Sequence, residues 1–233
     1  MGPLIILHGW AYDVKKWAPF LEILKEKGVE YKMLKIPGLT ASLEDVWTLD
    51  DYVSWLKSVV SGQRSIVLLG HSNGGRISLA YVRKYPQKIS HLILIDSAGI
   101  YHQDIFIQIK RFIFGKFARL KRFVNGNFLQ GLFYKIVREY DYYKASPIMK
   151  KVLQNLLESD KNSALDEIKV PTTLIWGEND NITPLLDGRV MNEKIENSSL
   201  FTIKDAGHSP QFTHPKEVSR IVIQQLDNET IGQ

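Results

Sequence analysis

The chain has 233 residues, 44% of them hydrophobic and 24% charged, values that are typical of one globular domain of ordinary size. They exclude collagen, coiled coils and wholesale disorder, and no apolar run is long enough for a transmembrane helix. The net charge is +5, and the absence of cysteine excludes disulfides, a thiolate nucleophile and cysteine metal sites. The N-terminal apolar run, residues 3–7, lacks the flanks of a signal peptide, so we expect a cytoplasmic protein.

Short apolar runs rich in β-branched residues alternate with longer stretches of helical period, which is typical of βαβ units around a parallel sheet. The predicted strands are 4–7, 31–36, 65–69, 92–95, 172–176 and 200–203. The predicted helices are 15–27, 45–61, 74–84, 184–195 and 215–227. Because the strands are almost continuously hydrophobic, we expect an α/β fold with a mostly parallel sheet of about six strands and helices on both faces.

Residues 99–156 interrupt this alternation after the fourth predicted strand. The stretch 101–151 carries eleven basic side chains against three acidic ones, and twelve of the 25 aromatic residues. Apolar residues within it recur at spacings of three and four, which predicts two or more amphipathic helices. The predicted division is a core made of 1–98 and 157–233, with 99–156 as an inserted helical cap.

A serine between two glycines follows the third predicted strand, in the sequence Gly70-His71-Ser72-Asn73-Gly74. Glycines two before and two after the serine allow a sharp strand-to-helix turn that lifts the hydroxyl clear of the sheet. The helix that starts near Asn73 directs its N–H groups at any anion formed beside Ser72. A phosphate-binding or dinucleotide-binding loop would need G-x-x-x-x-G-K-S/T or G-x-G-x-x-G, and neither pattern is present. Ser72 is therefore the predicted nucleophile.

A serine nucleophile needs a base, and the base needs an orienting carboxylate. Of the six histidines, His208 follows the last predicted strand, at the carboxyl edge of the sheet where the other site loops lie. Asp180 follows the strand that ends at Trp176, and it is the favoured carboxylate. Asp96 and Asp205 remain alternatives, although turn formation or capping is the more usual role of such residues.

Acyl transfer also needs backbone donors for the oxyanion that develops on the substrate carbonyl. One predicted donor is the N–H of Asn73, the residue after the nucleophile. The second is the N–H of Trp10, in the loop His8-Gly9-Trp10 after the first strand. The alternative is that this loop is only a turn.

Together these motifs resemble those of the α/β-hydrolase family, and the likeness covers nearly the whole chain apart from residues 99–156. The motifs are His8-Gly9-Trp10, Gly70-His71-Ser72-Asn73-Gly74-Gly75, Gly177-Glu178-Asn179-Asp180 and Gly207-His208. The resemblance implies a serine hydrolase with Ser72 as nucleophile, His208 as base and Asp180 as acid. It further implies an oxyanion site from Trp10 and Asn73, no metal and no cofactor. Within the family the chain looks most like the small carboxylesterases.

The chain departs from the family pattern because it starts at the strand that leads into the oxyanion loop, without the antiparallel hairpin usual in other members. The trimmed sheet has an exposed edge, which leaves both a monomer and a homodimer open. Family members usually insert a cap where residues 99–156 lie. We expect the apolar face of that cap to form an acyl or alcohol pocket over Ser72.

The main hypothesis is hydrolysis of carboxylic esters of small or medium hydrophobic substrates through an acyl-enzyme. One alternative is a carbon–carbon bond hydrolase of the same fold, but such members usually place Trp after the catalytic histidine, where this chain has Ser209. Another alternative is a non-catalytic ligand-binding protein. The basic face of the cap is either a solvated surface or a weak contact for an acidic carrier or anionic lipid. Nucleic acid is not an expected partner, because no binding motif accompanies the charge.

Overall fold

The computed structural model describes residues 2–11, 13–63, 65–102 and 145–231, the last four of them without side chains. Six strands form one sheet in the order β2-β1-β3-β4-β5-β6, and every neighbouring pair is parallel. The strands are β1 Leu4–Leu7, β2 Tyr31–Met33, β3 Ile66–His71, β4 Ile89–Ile95, β5 Thr172–Gly177 and β6 Ser198–Ile203. The predicted α/β class with a parallel six-stranded sheet is confirmed.

Seven α-helices accompany the strands in the described part of the chain. They are α1 Ala18–Glu26, α2 Leu49–Val59, α3 Asn73–Lys84, α4 Pro147–Ser159, α5 Leu185–Lys194, α6 Pro210–Thr213 and α7 Pro215–Ile231. Helix α2 begins with a capping box, because Thr48 accepts from the Asp51 N–H while the Asp51 carboxylate accepts from the Thr48 N–H. The hydrogen bonds that the Thr48 N–H and hydroxyl donate to the Asp51 carboxylate lower the pKa of Asp51. In the described residues no helix combines the length and the apolar character needed to cross a membrane.

The sheet separates two hydrophobic clusters, because alternate residues of each strand point to opposite faces. Ile5 and Leu7 of β1 belong to the cluster beneath α2, α3, α4 and α5. Leu4 and Ile6 belong to the cluster beneath α1 and α7. The four central strands are buried on both faces, whereas the edge strands β2 and β6 are partly exposed. The middle of the sheet is therefore a rigid base for the loops at its carboxyl edge.

Most differences from the predicted elements lie at their ends. Strand β2 stops at Met33, because the chain turns and the N–H groups of Leu39 and Thr40 both donate to the Ile36 carbonyl. The predicted helix 15–27 begins as a 3₁₀ turn, and it ends before Gly28, whose φ of +73° suits only glycine. The short helix α6 was not predicted.

The predicted cap is described only in part. Residues 103–144 lie outside the described residues, so the amphipathic helices predicted there and the division at 99–156 stay predictions. Helix α4 runs across the predicted boundary at 156, and its Met149, Val152 and Leu156 are buried in the cluster beneath α2 and α3. The end of the inserted segment is thus anchored in the core.

Gly74 allows α3 to pack closely against β1. A Cβ at this position would collide with the Leu7 carbonyl oxygen and lie 2.6 Å from the His8 carbonyl oxygen, and backbone atoms cannot move aside cheaply. We expect Gly74→Ala to lower the free energy of unfolding by about 1–3 kcal/mol, measured by urea denaturation. The control is Gly62→Ala, because Gly62 is exposed and has no atom within 4 Å of an added Cβ. Equal losses in both variants would contradict this account of α3 packing.

Candidate active site

Ser72 lies in a strained turn between β3 and α3. Its φ of +52° and ψ of −119° are unusual for a residue with a side chain, and such strain costs about 1–3 kcal/mol. The turn is held by its neighbours: the Ser72 N–H donates to Ile95 O at 3.1 Å, and Ser72 O accepts from the N–H groups of Gly75 and Ala98. The surrounding hydrogen bonds thus stabilise a conformation that the serine would not adopt by itself.

The three side chains predicted as nucleophile, base and acid form one hydrogen-bonded chain. Ser72 Oγ lies 2.9 Å from His208 Nε2, and His208 Nδ1 lies 2.8 Å from Asp180 Oδ2. The His208 side chain is 10% exposed and that of Asp180 is fully buried. More than a hundred residues separate Ser72 from the other two, but β3, β5 and β6 are parallel and end at the same edge of the sheet.

Asp180 is fixed by donors from its own loop. Its Oδ1 accepts the N–H groups of Ile182 at 2.7 Å and Thr183 at 3.1 Å, and its Oδ2 accepts the Thr183 hydroxyl at 2.8 Å. Thr183 Oγ1 also lies 3.2 Å from His208 Nδ1. Sequence reasoning missed Thr183, although a threonine three residues after an aspartate is a pattern of local side-chain-to-backbone bonding that points to it. The loop therefore presents Asp180 to the imidazole in one orientation.

The two alternative acids lie in different surroundings. Asp205 is exposed in a turn with φ of +59°, and its N–H donates to Glu178 Oε2. Asp96 is completely buried at the end of β4, and its Oδ1 accepts the Gly177 N–H at 2.8 Å. Burial, followed by the charge of Asp180, raises the pKa of Asp96 well above its ordinary value. Neither alternative replaces Asp180 as the hydrogen-bond partner of His208.

The loop after β1 lies against the nucleophile. A Cβ added to Gly9 would be 3.1 Å from Ser72 Cβ. His8 is fully buried, with Nδ1 2.7 Å from Gly9 O and Nε2 2.8 Å from Thr40 Oγ1. Because the Gly9 carbonyl can only accept, we assign the Nδ1–H tautomer; Nε2 then accepts the Thr40 hydroxyl proton, while Thr40 Oγ1 accepts the Ile36 N–H. Burial lowers the pKa of His8, which agrees with a neutral ring.

The His8 hydrogen bond fixes the peptide plane between Gly9 and Trp10, and so the direction of the Trp10 N–H. Within residues 2–11, 13–63, 65–102 and 145–231, neither the Trp10 N–H nor the Asn73 N–H has a hydrogen-bond acceptor. Both N–H groups are therefore unengaged in this part of the chain, and their role as the donors of an oxyanion site stays a prediction.

Asn73 is tied to the segment after α4 by a buried arginine. Arg76 Nη1 donates to Asn73 Oδ1 at 2.6 Å, while its Nε and Nη2 donate to the two carboxylate oxygens of Asp160, each at 2.7 Å. The Arg76 and Asp160 side chains are only 6% and 5% exposed. The spacing of Asn73 and Arg76 on one helix suggests their contact, but nothing in the sequence identifies Asp160.

A metal site is not assigned. Donor atoms of His71, Asp96 and His208 lie within 4.8 Å of one another, a spacing that a metal ion tolerates. However, both ring nitrogens of His208 are already engaged, by Ser72 and by Asp180. The cluster therefore matches a proton-transfer site better than a metal centre.

A Ser–His–Asp chain at the carboxyl edge of a parallel sheet is the arrangement of a hydrolase. The family model described as "Alpha/beta hydrolase family" matches residues 4–221. The chain belongs to the alpha/beta hydrolase family.

Proteins named as esterases are among the relatives of this chain. The biotin biosynthesis bifunctional protein BioHC of Teredinibacter turnerae is 26% identical, over 94% of this chain but only 43% of that protein. The pimeloyl-[acyl-carrier protein] methyl ester esterase of Aromatoleum aromaticum is 23% identical, over 94% of this chain and 96% of that protein. Among solved structures, a thermophilic esterase from Thermogutta terrifontis aligns with a TM-score of 0.72 at 22% identity, covering 98% of this chain and 90% of that one.

The buried Arg76–Asp160 pair gives a stability prediction. Asp160→Ala leaves the Arg76 guanidinium buried without its counter-ion, so we expect a loss of about 3–5 kcal/mol in the free energy of unfolding. The control is Glu167→Ala, which breaks the more exposed Arg83–Glu167 pair at 2.9 Å and should cost about 1 kcal/mol or less. Urea denaturation measures both values. Similar losses of unfolding free energy in the two variants would show that burial does not make the Arg76–Asp160 pair more important for stability than the exposed pair.

Proposed function

We propose that the protein is a serine hydrolase that cleaves carboxylic esters of small or medium hydrophobic substrates through an acyl-enzyme. The observation that supports this most directly is the hydrogen-bonded chain from Ser72 through His208 to Asp180, at 2.9 and 2.8 Å. Ester hydrolysis also agrees with the esterase names of the relatives.

In the acylation step, His208 Nε2 takes the Ser72 proton as Oγ attacks the ester carbonyl carbon. The Trp10 and Asn73 N–H groups bind the oxyanion, and Asp180 stabilises the imidazolium that forms. The tetrahedral intermediate then collapses: the carbon–oxygen bond to the alcohol breaks, and His208 gives its proton to the departing alkoxide. The products of this step are the free alcohol and an acyl ester on Ser72.

In the deacylation step, His208 removes a proton from water, whose oxygen attacks the acyl carbon. The second tetrahedral intermediate expels Ser72 Oγ, which takes the proton back from His208. A carboxylic acid is released and the free enzyme is restored. No cofactor is needed for these steps.

We propose a cap in residues 99–156 whose aromatic and aliphatic side chains line the acyl or alcohol pocket. We also propose that the basic face of this cap contacts an acidic carrier or anionic lipid weakly. We further propose a cytoplasmic location, and either a monomer or a homodimer as the oligomeric state. A carbon–carbon bond hydrolase is a less favoured function, because Ser209 follows His208 where such family members usually have Trp.

The nucleophile is tested with a short p-nitrophenyl ester. Ser72→Ala should lower kcat by about 10⁴-fold or more, because no other group can form the acyl-enzyme. Ser42→Ala is the matched control, since the Ser42 side chain is exposed, and it should retain activity. A fluorophosphonate probe should label the wild type and the control but not Ser72→Ala. Full activity of Ser72→Ala would disprove the mechanism, and a wild type that is inert to ester and probe would favour a binding protein.

A substrate series tests the ester class. We expect kcat/KM to be highest for p-nitrophenyl esters of short or medium acyl chains and to fall for long chains. A diketone with a hydrolysable carbon–carbon bond should remain intact under the same conditions. Cleavage of the diketone without ester hydrolysis would instead support the carbon–carbon hydrolase.

A further inference from the structure

Asp96 is a buried carboxyl group that the proposed mechanism does not use. It is one of four buried carboxylic side chains in the described residues, with Asp160, Asp180 and Asp187. Each of the other three has a basic partner, since Asp160 pairs with Arg76, Asp180 with His208 and Asp187 with His102. Asp96 forms no such pair with any described residue.

Hydrogen bonding distinguishes Asp96 from its neighbour Asp180. Asp180 accepts two backbone N–H groups, the Thr183 hydroxyl and His208 Nδ1–H, which is the environment of a carboxylate anion. Asp96 accepts only the Gly177 N–H on Oδ1, and its buried Oδ2 accepts a hydrogen bond from none of the described residues. Two adjacent carboxylates out of contact with water cannot both be ionised cheaply, so one of them holds a proton.

We propose that Asp96 is a positioning residue that stays protonated and donates its Oδ2 proton to the Asp180 carboxylate. The acid of the site is then a pair of carboxyl groups that share one negative charge. This inference rests on the proposed serine hydrolase, because it assigns to Asp96 a role in supporting the Asp180–His208 contact.

The groups around Asp96 agree with a neutral side chain. Burial raises the pKa of Asp96 most, the charge of Asp180 raises it further, and the hydrogen bond from the Gly177 N–H acts in the opposite direction. The other titratable groups that face it are His71 at the end of β3 and His208 after β6, each with a ring nitrogen within 4.8 Å of an Asp96 carboxyl oxygen. In the part of the chain that the structure describes, no lysine or arginine forms an ion pair with Asp96.

A neutral Asp96 suits the chemistry of His208. The base must be an unprotonated imidazole before it can accept the Ser72 proton. A second carboxylate anion near the ring would favour the imidazolium and hold the base in its inactive form at neutral pH. With a proton on Asp96, the ring faces one negative charge, which is enough to stabilise the imidazolium during turnover.

The backbone at Asp96 is held in a costly conformation. Its φ is +42°, a region that residues other than glycine seldom occupy. The Asp96 N–H donates to Ile175 O at 3.0 Å, and the Asp96 carbonyl lies 3.1 Å from Thr183 Oγ1. Together with the hydrogen bond from the Gly177 N–H to Oδ1, these contacts hold Asp96 against residues 177–183, the loop that carries Asp180.

The kinetic test compares Asp96→Asn with Asp96→Ala. The amide of Asn is neutral, has nearly the shape of the acid and keeps a donor for Asp180, so kcat should fall by about threefold, whereas loss of the donor in Asp96→Ala should lower it by about 10- to 100-fold. The acid limb of the pH profile of kcat/KM should keep its midpoint in Asp96→Asn, because no charge is removed. A midpoint lowered by about one pH unit or more would show that Asp96 is ionised and would overturn the proposal. Equal losses in the two variants would overturn it as well.

A second measurement does not depend on activity. At pH 7 the infrared spectrum of the wild type should contain the carbonyl band of a protonated carboxylic acid, and Asp96→Asn should lack that band. Asp187→Asn is the matched control, because burial also raises the pKa of Asp187, and this variant should keep the Asp96 band. If Asp96→Asn does not fold, the spectrum of Asp187→Asn is the test: the carboxylic acid band should be present in this variant, and its absence would overturn the proposal.

Absence of the acid band would overturn the proposal even if the protein hydrolyses esters. Presence of the band in a protein that neither hydrolyses esters nor reacts with the fluorophosphonate would leave Asp96 protonated but remove the serine hydrolase. The two failures are therefore distinguishable.

Discussion

The candidate site depends on one constraint: neighbouring parallel strands end at the same edge of the sheet. Strands β3, β4, β5 and β6 are adjacent and paired at their carboxyl ends, where His71 pairs with Ile95 and Gly177 pairs with Ile203. The loops after them carry Ser72, Asp96, Asp180 and His208. Hydrogen bonds join Ser72 to His208 and His208 to Asp180, and a His208 ring nitrogen lies within 4.8 Å of an Asp96 carboxyl oxygen. A different strand order would leave the same residues on the same chain without a site.

The close approach of backbone to backbone makes this edge rigid. At Gly70 and Gly74 a side chain would strike the backbone of α3 or of β1, so the turn around Ser72 is packed from both sides. The strained φ values at Ser72 and Asp96 occur at the ends of adjacent strands, where the sheet fixes the backbone before and after them. Local strain at both positions is thus stabilised by hydrogen bonds that belong to the sheet and its loops.

The sequence was informative wherever function depends on a local pattern. The β-branched runs predicted all six strands, and the glycines around Ser72 predicted the turn, because strand burial and turn geometry act over a few residues. The contact between Arg76 and Asp160 could not be predicted in this way, since 84 residues separate the partners and no local pattern relates them. Asp96 was identified as an alternative acid, but its position beside Asp180 depends on the pairing of β4 with β5, which only the fold determines.

The distribution of buried charge around the first turn of α3 follows from the same geometry. The N-terminus of a helix carries a partial positive charge that favours an anion, and α3 has no acidic residue in its first turn to occupy it. Arg76 adds a full positive charge close by, but Asp160 binds that charge with two hydrogen bonds. Asn73 takes the remaining guanidinium contact through its side chain, and its backbone N–H has no acceptor among the described residues. The ion pair thereby holds the residue that carries a proposed oxyanion donor, while the positive end of the helix stays available to a charge that exists only during the reaction.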